Sequence, residues 1–144
     1  MTDLYAAYGS NLHHARMLAR CDGAVPLGSA IMPGWRLAVN RYATIERDAA
    51  ASVPFGLWRV TPRHIKSLDR AEGVAMRVYE RITLDVPGYG DAWCYVEIGF
   101  RRGPPRPDYV DHLRHGYREF GLDSSVLDEA LARCLATTAS RRVM

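Results

Sequence analysis

Residues Val78 to Val86 and Ala92 to Phe100 are strand-like stretches set around a turn-rich centre, Pro87-Gly88-Tyr89-Gly90-Asp91. Two extended segments joined by so short a turn must run antiparallel, because a parallel pair needs a crossover of about a dozen residues or more. Ile82, Leu84 and Val86 share one face of the first segment, and Cys94, Val96, Ile98 and Phe100 share one face of the second. A hairpin is therefore fixed inside the chain, and the other elements have to be built around it.

Leu4 to Tyr8 reads as a first strand, ended by the turn signal Gly9-Ser10-Asn11. A helix is expected from Asn11 to about Arg20, with Leu12, Ala15, Met17 and Leu18 apolar, Ser10 or Asn11 as N-cap and Asp22-Gly23 as the stop. Gly28 to Tyr42 reads as extended segments broken at Pro33-Gly34. Val53, Phe55 and Leu57 alternate, and Trp58 and Val60 on the opposite parity imply a strand covered on both faces. Thr61 as N-cap and Pro62 at the first helical position start a helix that runs to about Glu72, where Gly73 stops it. After the stiff loop Gly103 to Pro107, helices are expected over Asp108 to Phe120, closed by Gly121, and from Ser125 to about Ala136. Ser125 and Asp128 would form a capping box for the last of these. Strands with isolated helices and no regular βαβ alternation give an α+β fold, a largely antiparallel sheet able to curl toward a barrel, in one domain spanning 1–144.

The formal charge of +3 is spread along the chain, with only the short pairs Arg101-Arg102 and Arg141-Arg142, so no basic stripe for nucleic acid is expected. No apolar run is long enough for a membrane span, and nothing at the N-terminus reads as a signal peptide. Cys21, Cys94 and Cys134 are scattered and form no CxxC, which suits reduced thiols and a cytoplasmic setting. A zinc site from His13, His14, His112 and His115 lacks HExxH and clustered cysteines, so neither metal nor cofactor is expected.

One charged residue stands on the wrong face. On the helix that starts at Pro62, Ile65, Leu68 and Glu72 follow an i, i+3, i+7 spacing, which puts Glu72 on the core-facing stripe. Partial burial and the negative helix end both raise a carboxyl pKa toward the range useful for acid/base work. The plainer reading is a boundary glutamate paired with Arg77, Arg81 or another arginine. Tyr8-Gly9-Ser10-Asn11, between a strand and a helix, offers unpaired N–H groups for an anion, though a well-capped helix start needs the same residues. It matches neither GxxxxGK[ST] nor GxGxxG.

Taken together, YAAYGSNL at 5–12, GLWRVTP at 56–62, LDRAEGV at 68–74 followed by Tyr79, and PPRPDYVDHLRHGYREFGL at 104–122 resemble the γ-glutamylcyclotransferase-like family. That resemblance implies a small mixed, largely antiparallel β-barrel with flanking helices and one cavity at the end of the first strand. It implies Glu72 as the catalytic acid/base, and Tyr8, Gly9, Ser10, Asn11, Tyr79 and Tyr109 as substrate-binding residues, with Tyr5 lining the same cavity. The chain departs from the family pattern at Met76-Arg77-Val78. The reaction implied is cyclisation of a γ-glutamyl amide to 5-oxoproline with release of the amine, on a small-molecule γ-glutamyl substrate and without a cofactor. The oligomeric state is left open, a homodimer included.

Two other readings compete. Ser10 with His13 or His14 as base would make a hydrolase, but there is no GxSxG elbow and no third group to orient the base. A non-catalytic member would keep the cavity and bind a small molecule or a protein.

Overall fold

The structure, a computed structural model, describes residues 3–99 and 103–143, with the side chains of the last helix described as far as Cys134. Strands β1 (Asp3–Ala7), β2 (Val25–Val39), β3 (Ala43–Val60), β4 (Tyr79–Val86) and β5 (Gly90–Glu97) are joined by helices α1 (His14–Arg20), α2 (Pro62–Ala71), α3 (Pro107–Phe120) and α4 (Ser124–Val143). A single 3-10 turn, Ser10–Leu12, lies between β1 and α1.

The α+β class holds, and the expected hairpin is present as β4–β5, with Val86 paired to Gly90 and Tyr79 to Glu97. Phe100 lies outside the described residues. The five strands form one sheet in the order β2-β3-β1-β5-β4, in which β1 runs antiparallel to β3 and parallel to β5. This is an open mixed sheet and not the expected closed barrel, since among the described residues no ladder joins its two ends, β2 and β4. Where β2 bulges between Pro26 and Gly28, the Tyr89 phenol from the β4–β5 turn lies against Gly28.

Three further expectations are corrected. The Gly28 to Tyr42 stretch is not broken at Pro33-Gly34: β2 continues through it, and the irregularity is absorbed as a register shift against β3. The helix expected from Asn11 is a 3-10 turn, then an extended residue at His13 (φ −69°, ψ 114°), then α1, and neither Ser10 nor Asn11 caps it. Asn11 is drawn away because its side chain is engaged by Tyr5, Arg20 and Glu72. The last helix begins at Ser124 and extends past Ala136. Its first turn is capped by the Asp123 carboxylate on the Ser125 N–H at 3.0 Å, while Asp128 pairs outward with Arg114.

Helix α2 follows its sequence signals closely. Thr61 Oγ1 accepts from the His64 N–H, and the His64 ring accepts from the Thr61 N–H, closing a reciprocal cap. At the other end Val74 N–H donates to Asp69 O and Gly73 N–H to Arg70 O, with Gly73 at φ +68°. That is the Schellman pattern, and it leaves Glu72 as the capping residue where the chain swings away from the helix.

The buried residues form one continuous core. Two glycines set how close its parts come. A Cβ on Gly56 of β3 would sit 2.6 Å from the Leu12 side chain. A Cβ on Gly116 of α3 would sit 2.7 Å from the Leu12 carbonyl carbon and 2.8 Å from the His13 nitrogen. The 3-10 turn is therefore clamped between bare backbone on both sides, which fixes Ser10 and Asn11 at the open end of β1.

Candidate active site

A half-open cavity of about 320 Å³ lies beyond the C-terminal end of β1, between the 3-10 turn, α1, the β2–β3 turn and the end of α2. It brings together every residue singled out for the site from sequence: Tyr8, Gly9, Ser10, Asn11, Glu72, Tyr79 and Tyr109, with Tyr5 beside them. Its size is that of a small-molecule site.

Glu72 reaches it from the end of α2, with its side chain 18% exposed. Its Oε1 accepts a 3.1 Å hydrogen bond from Asn11 Nδ2, which also donates to the Tyr5 hydroxyl at 2.9 Å. Arg20 Nη1 donates to Asn11 Oδ1 at 2.8 Å and lies 3.6 Å from the Glu72 carboxylate. Asn11 is itself held from behind, since Trp58 Nε1 donates to its carbonyl at 3.1 Å. Burial pushes the Glu72 carboxyl above the ordinary carboxylate value, while Arg20 and the Asn11 hydrogen bond limit the rise. The partner of Glu72 is Arg20 on α1, and not Arg77 or Arg81; Arg81 pairs with Asp69.

The tyrosines serve the walls. Tyr79 donates to Ala43 O at 2.7 Å, and Tyr109 accepts from the Ala43 N–H at 2.9 Å, so the first residue of β3 is held at both its N–H and its carbonyl. Tyr8 donates to Tyr95 O at 2.6 Å. Burial raises the phenols of Tyr5, Tyr8, Tyr79 and Tyr109 above their usual value, which keeps them neutral donors and acceptors at physiological pH. A Cβ at Gly9 would meet the Ala43 Cβ at 3.4 Å and the Tyr109 hydroxyl at 3.7 Å, ordinary contact distances. The first bond of the 3-10 turn is Leu12 N–H to Gly9 O, which leaves the Ser10 and Asn11 N–H groups outside the turn's own bonding.

Four polar side chains of the lining were missed from sequence: Arg16, Arg20, Tyr42 and Tyr95. The two arginines were legible in principle, since i, i+4 spacing on α1 puts them on one face with the turn that precedes it. Tyr42 and Tyr95 depend on long-range placement. Of the departing segment Met76-Arg77-Val78, only Val78 lines the cavity, while Met76 is 81% exposed.

The competing chemistries find no assembled machinery. His13 Nδ1 faces His112 Nδ1 at 2.8 Å and His14 faces Glu119, and no hydrogen bond among the described residues joins either ring to Ser10. Burial pushes the Cys21 thiol up to about 11 and Cys94 up to about 12, and neither lines the cavity. Among the described residues no group of three or more His, Cys, Asp or Glu side chains is placed to hold a metal ion. Among them, too, no helix is long and apolar enough to cross a membrane.

Fold and site thus define an α+β protein with a polar, tyrosine-walled cavity built around a buried carboxylate. The model of the AIG2-like family matches residues 53–129, more than half of the chain. The chain is 31% identical to a γ-glutamylcyclotransferase of Mus musculus, with 84% of this chain and 73% of that protein matched. It is 27% identical to the Bos taurus protein of the same name, over 83% and 72%. Among solved structures, one described as a γ-glutamyl cyclotransferase superposes with a TM-score of 0.81 at 25% identity, covering 90% of this chain and 86% of that one. An uncharacterized protein from Homo sapiens gives 0.80 at 26% over the same shares. The chain belongs to the γ-glutamylcyclotransferase-like, AIG2-like family.

Proposed function

We propose that this chain cyclises a γ-glutamyl amide to 5-oxoproline and releases the free amine or amino acid, with Glu72 moving the proton. The observation that carries the reading is Glu72 itself: a largely buried carboxylate facing a small-molecule cavity, with burial raising its pKa. Arg20 and Asn11 offset the cost of burying the charge, and the carboxylate they hold lies at the cavity wall.

In this reading the Glu72 carboxylate accepts a proton from the substrate α-ammonium. The amine then attacks its own γ-carbonyl, Glu72 returns the proton to the departing nitrogen, and the second proton left on the new ring nitrogen is carried off by the released amine, which leaves as an ammonium. No covalent enzyme intermediate is formed. Nucleophile and electrophile belong to one molecule, so the walls of Tyr5, Tyr79 and Tyr109 have to select a curled conformer rather than assemble two reactants. The Ser10 and Asn11 N–H groups are the donors available for the substrate α-carboxylate or the developing oxyanion.

The experiment is to incubate the purified protein with γ-glutamyl amino acids and γ-glutamylamines and follow 5-oxoproline. Release from at least one of them is expected. A folded protein that releases none, yet binds them, would instead be a non-catalytic binding member.

A further inference from the structure

Three imidazoles meet where α3 crosses the 3-10 turn. His13, the residue that leaves the turn, presents Nδ1 to Nδ1 of His112 at 2.8 Å, and its ring stacks on His115 with centroids 4.8 Å apart. The His115 Nδ1 is engaged by the Asp111 carbonyl at 2.8 Å. None of the three rings lines the cavity. Their backbone setting is the close approach of α3. The His13 nitrogen is one of the atoms that a Cβ on Gly116 would strike, and the same N–H donates to Ser10 O at 3.2 Å to close the turn. Ring contacts and backbone clamp thus belong to one joint, and Ser10 and Asn11, on its other side, line the cavity.

A contact of this length between two ring nitrogens needs a proton on one and a lone pair on the other. The neutral pair meets that need, and so does a pair carrying a single positive charge. A doubly protonated pair does not: both Nδ1 atoms then carry hydrogen, no acceptor is left, and two like charges stand at hydrogen-bond distance. The surroundings weigh against the second charge. From α1, Arg16 and Arg20 repel it; from α3, Asp108 attracts it. His115 is a further basic ring on the same face, while His14 turns to Glu119 and Arg114 is paired with Asp128 of α4. Burial, Arg16 and His13 together hold His112 below its ordinary value of 6.5. The contribution of His112 to the joint is therefore present above that value and is lost as pH falls through the lowered one. A new χ1 rotamer at His13 gives no free escape, because it breaks the contacts with His112 and His115 together.

We propose that His13 and His112 form a proton-operated latch, which holds the Ser10–Leu12 turn against α3 while at least one ring is neutral and releases it when both are protonated. Acid then loosens the cavity wall that carries Ser10 and Asn11. Both histidines are positioning residues, acting through the turn.

Asparagine carries an amide where histidine carries Nδ1, so His112→Asn keeps a hydrogen bond to His13 at every pH and cannot charge. The test follows hydrogen exchange of the Leu12 amide, bonded to Gly9 O at 3.0 Å, by NMR from about pH 8 to about pH 5, corrected for the intrinsic rate at each pH. Protection in the wild type should fall about 5- to 30-fold toward the acid end, while in His112→Asn it stays within about 2-fold. His13→Asn exchanges the other partner in the same way and should level the profile too; it is the variant read if His112→Asn does not fold. Protection that falls alike in the wild type and the variant, or that holds steady in the wild type, overturns the proposal. Exchange is read without substrate, so the latch is tested whether or not the protein releases 5-oxoproline.

Discussion

Replacing Gly116 by alanine should destabilise this protein, against the general rule for helices. In an exposed helix interior, Gly→Ala stabilises by about 1 kcal/mol, because alanine loses less backbone entropy and has the best propensity. Here the new Cβ would lie 2.7 Å from the Leu12 carbonyl carbon and 2.8 Å from the His13 nitrogen. Both are backbone atoms, so no rotamer change relieves the overlap and α3 has to move away from the 3-10 turn. Overpacking of a close-packed core costs about 1–3 kcal/mol, and a clash with main chain belongs at the upper end. Subtracting the propensity gain leaves a net loss of about 2 kcal/mol, or roughly 5–10 °C in melting temperature for a chain of this size. Urea unfolding followed by tryptophan fluorescence gives the number. Because the displaced turn carries Ser10 and Asn11, 5-oxoproline release should fall as well. A Gly116→Ala protein as stable as the wild type, or more so, would refute the close approach of α3 on which the site geometry depends.

Other perturbations test individual parts. Arg20→Gln removes the positive charge 3.6 Å from Glu72, so the Glu72 carboxyl should rise further and the acid limb of the kcat/KM profile should move to higher pH; an unmoved limb contradicts the pairing. The folded protein holds a proton on Glu72 more tightly than the unfolded chain, so stability falls as pH rises from the ordinary value of 4.5 through the raised one. The stability of Glu72→Gln relative to wild type should therefore grow over that window, by about 1.4 kcal/mol per pH unit of upward displacement, and a gap that narrows instead would contradict the burial effect. Arg77 is exposed and the only described non-glycine residue with positive φ, at 58°. Arg77→Gly should relieve left-handed strain and raise stability by up to about 1 kcal/mol in a denaturant melt, whereas a loss would mean the arginine side chain contributes more than the strain costs.

What sequence reasoning reached, and what it missed, divides by range. Helix α2 was legible from end to end because its signals are local: a threonine and proline at one end, a glycine at the other, and a carboxylate at the i+7 position of an apolar stripe. The β4–β5 hairpin was legible for the same reason. The start of α1 was misread because Asn11, a good capping residue in isolation, is claimed by Tyr5, Arg20 and Glu72 from elsewhere in the fold. Asp123 was passed over as a cap because Ser125 and Asp128 match the familiar box, yet Asp128 turns to Arg114. Whether the sheet closes depends on how its distant ends β2 and β4 meet, which no local pattern encodes. The cavity residues that carry family motifs were found by resemblance, and Arg16, Arg20, Tyr42 and Tyr95 were not, since their place depends on how α1, the β2–β3 turn and β5 meet.

The central claim is that Glu72 transfers the proton in a cyclisation, and it is tested most directly by 5-oxoproline release from wild type and Glu72→Gln under the same conditions. Glutamine keeps the shape and an acceptor for Asn11 Nδ2 but cannot take the proton. A positioned general acid/base is worth about 10²–10⁴-fold, so kcat/KM should fall by that factor while the melting profile shows a folded protein. Release by Glu72→Gln within a few-fold of the wild type would contradict the account and move the proton transfer to another group.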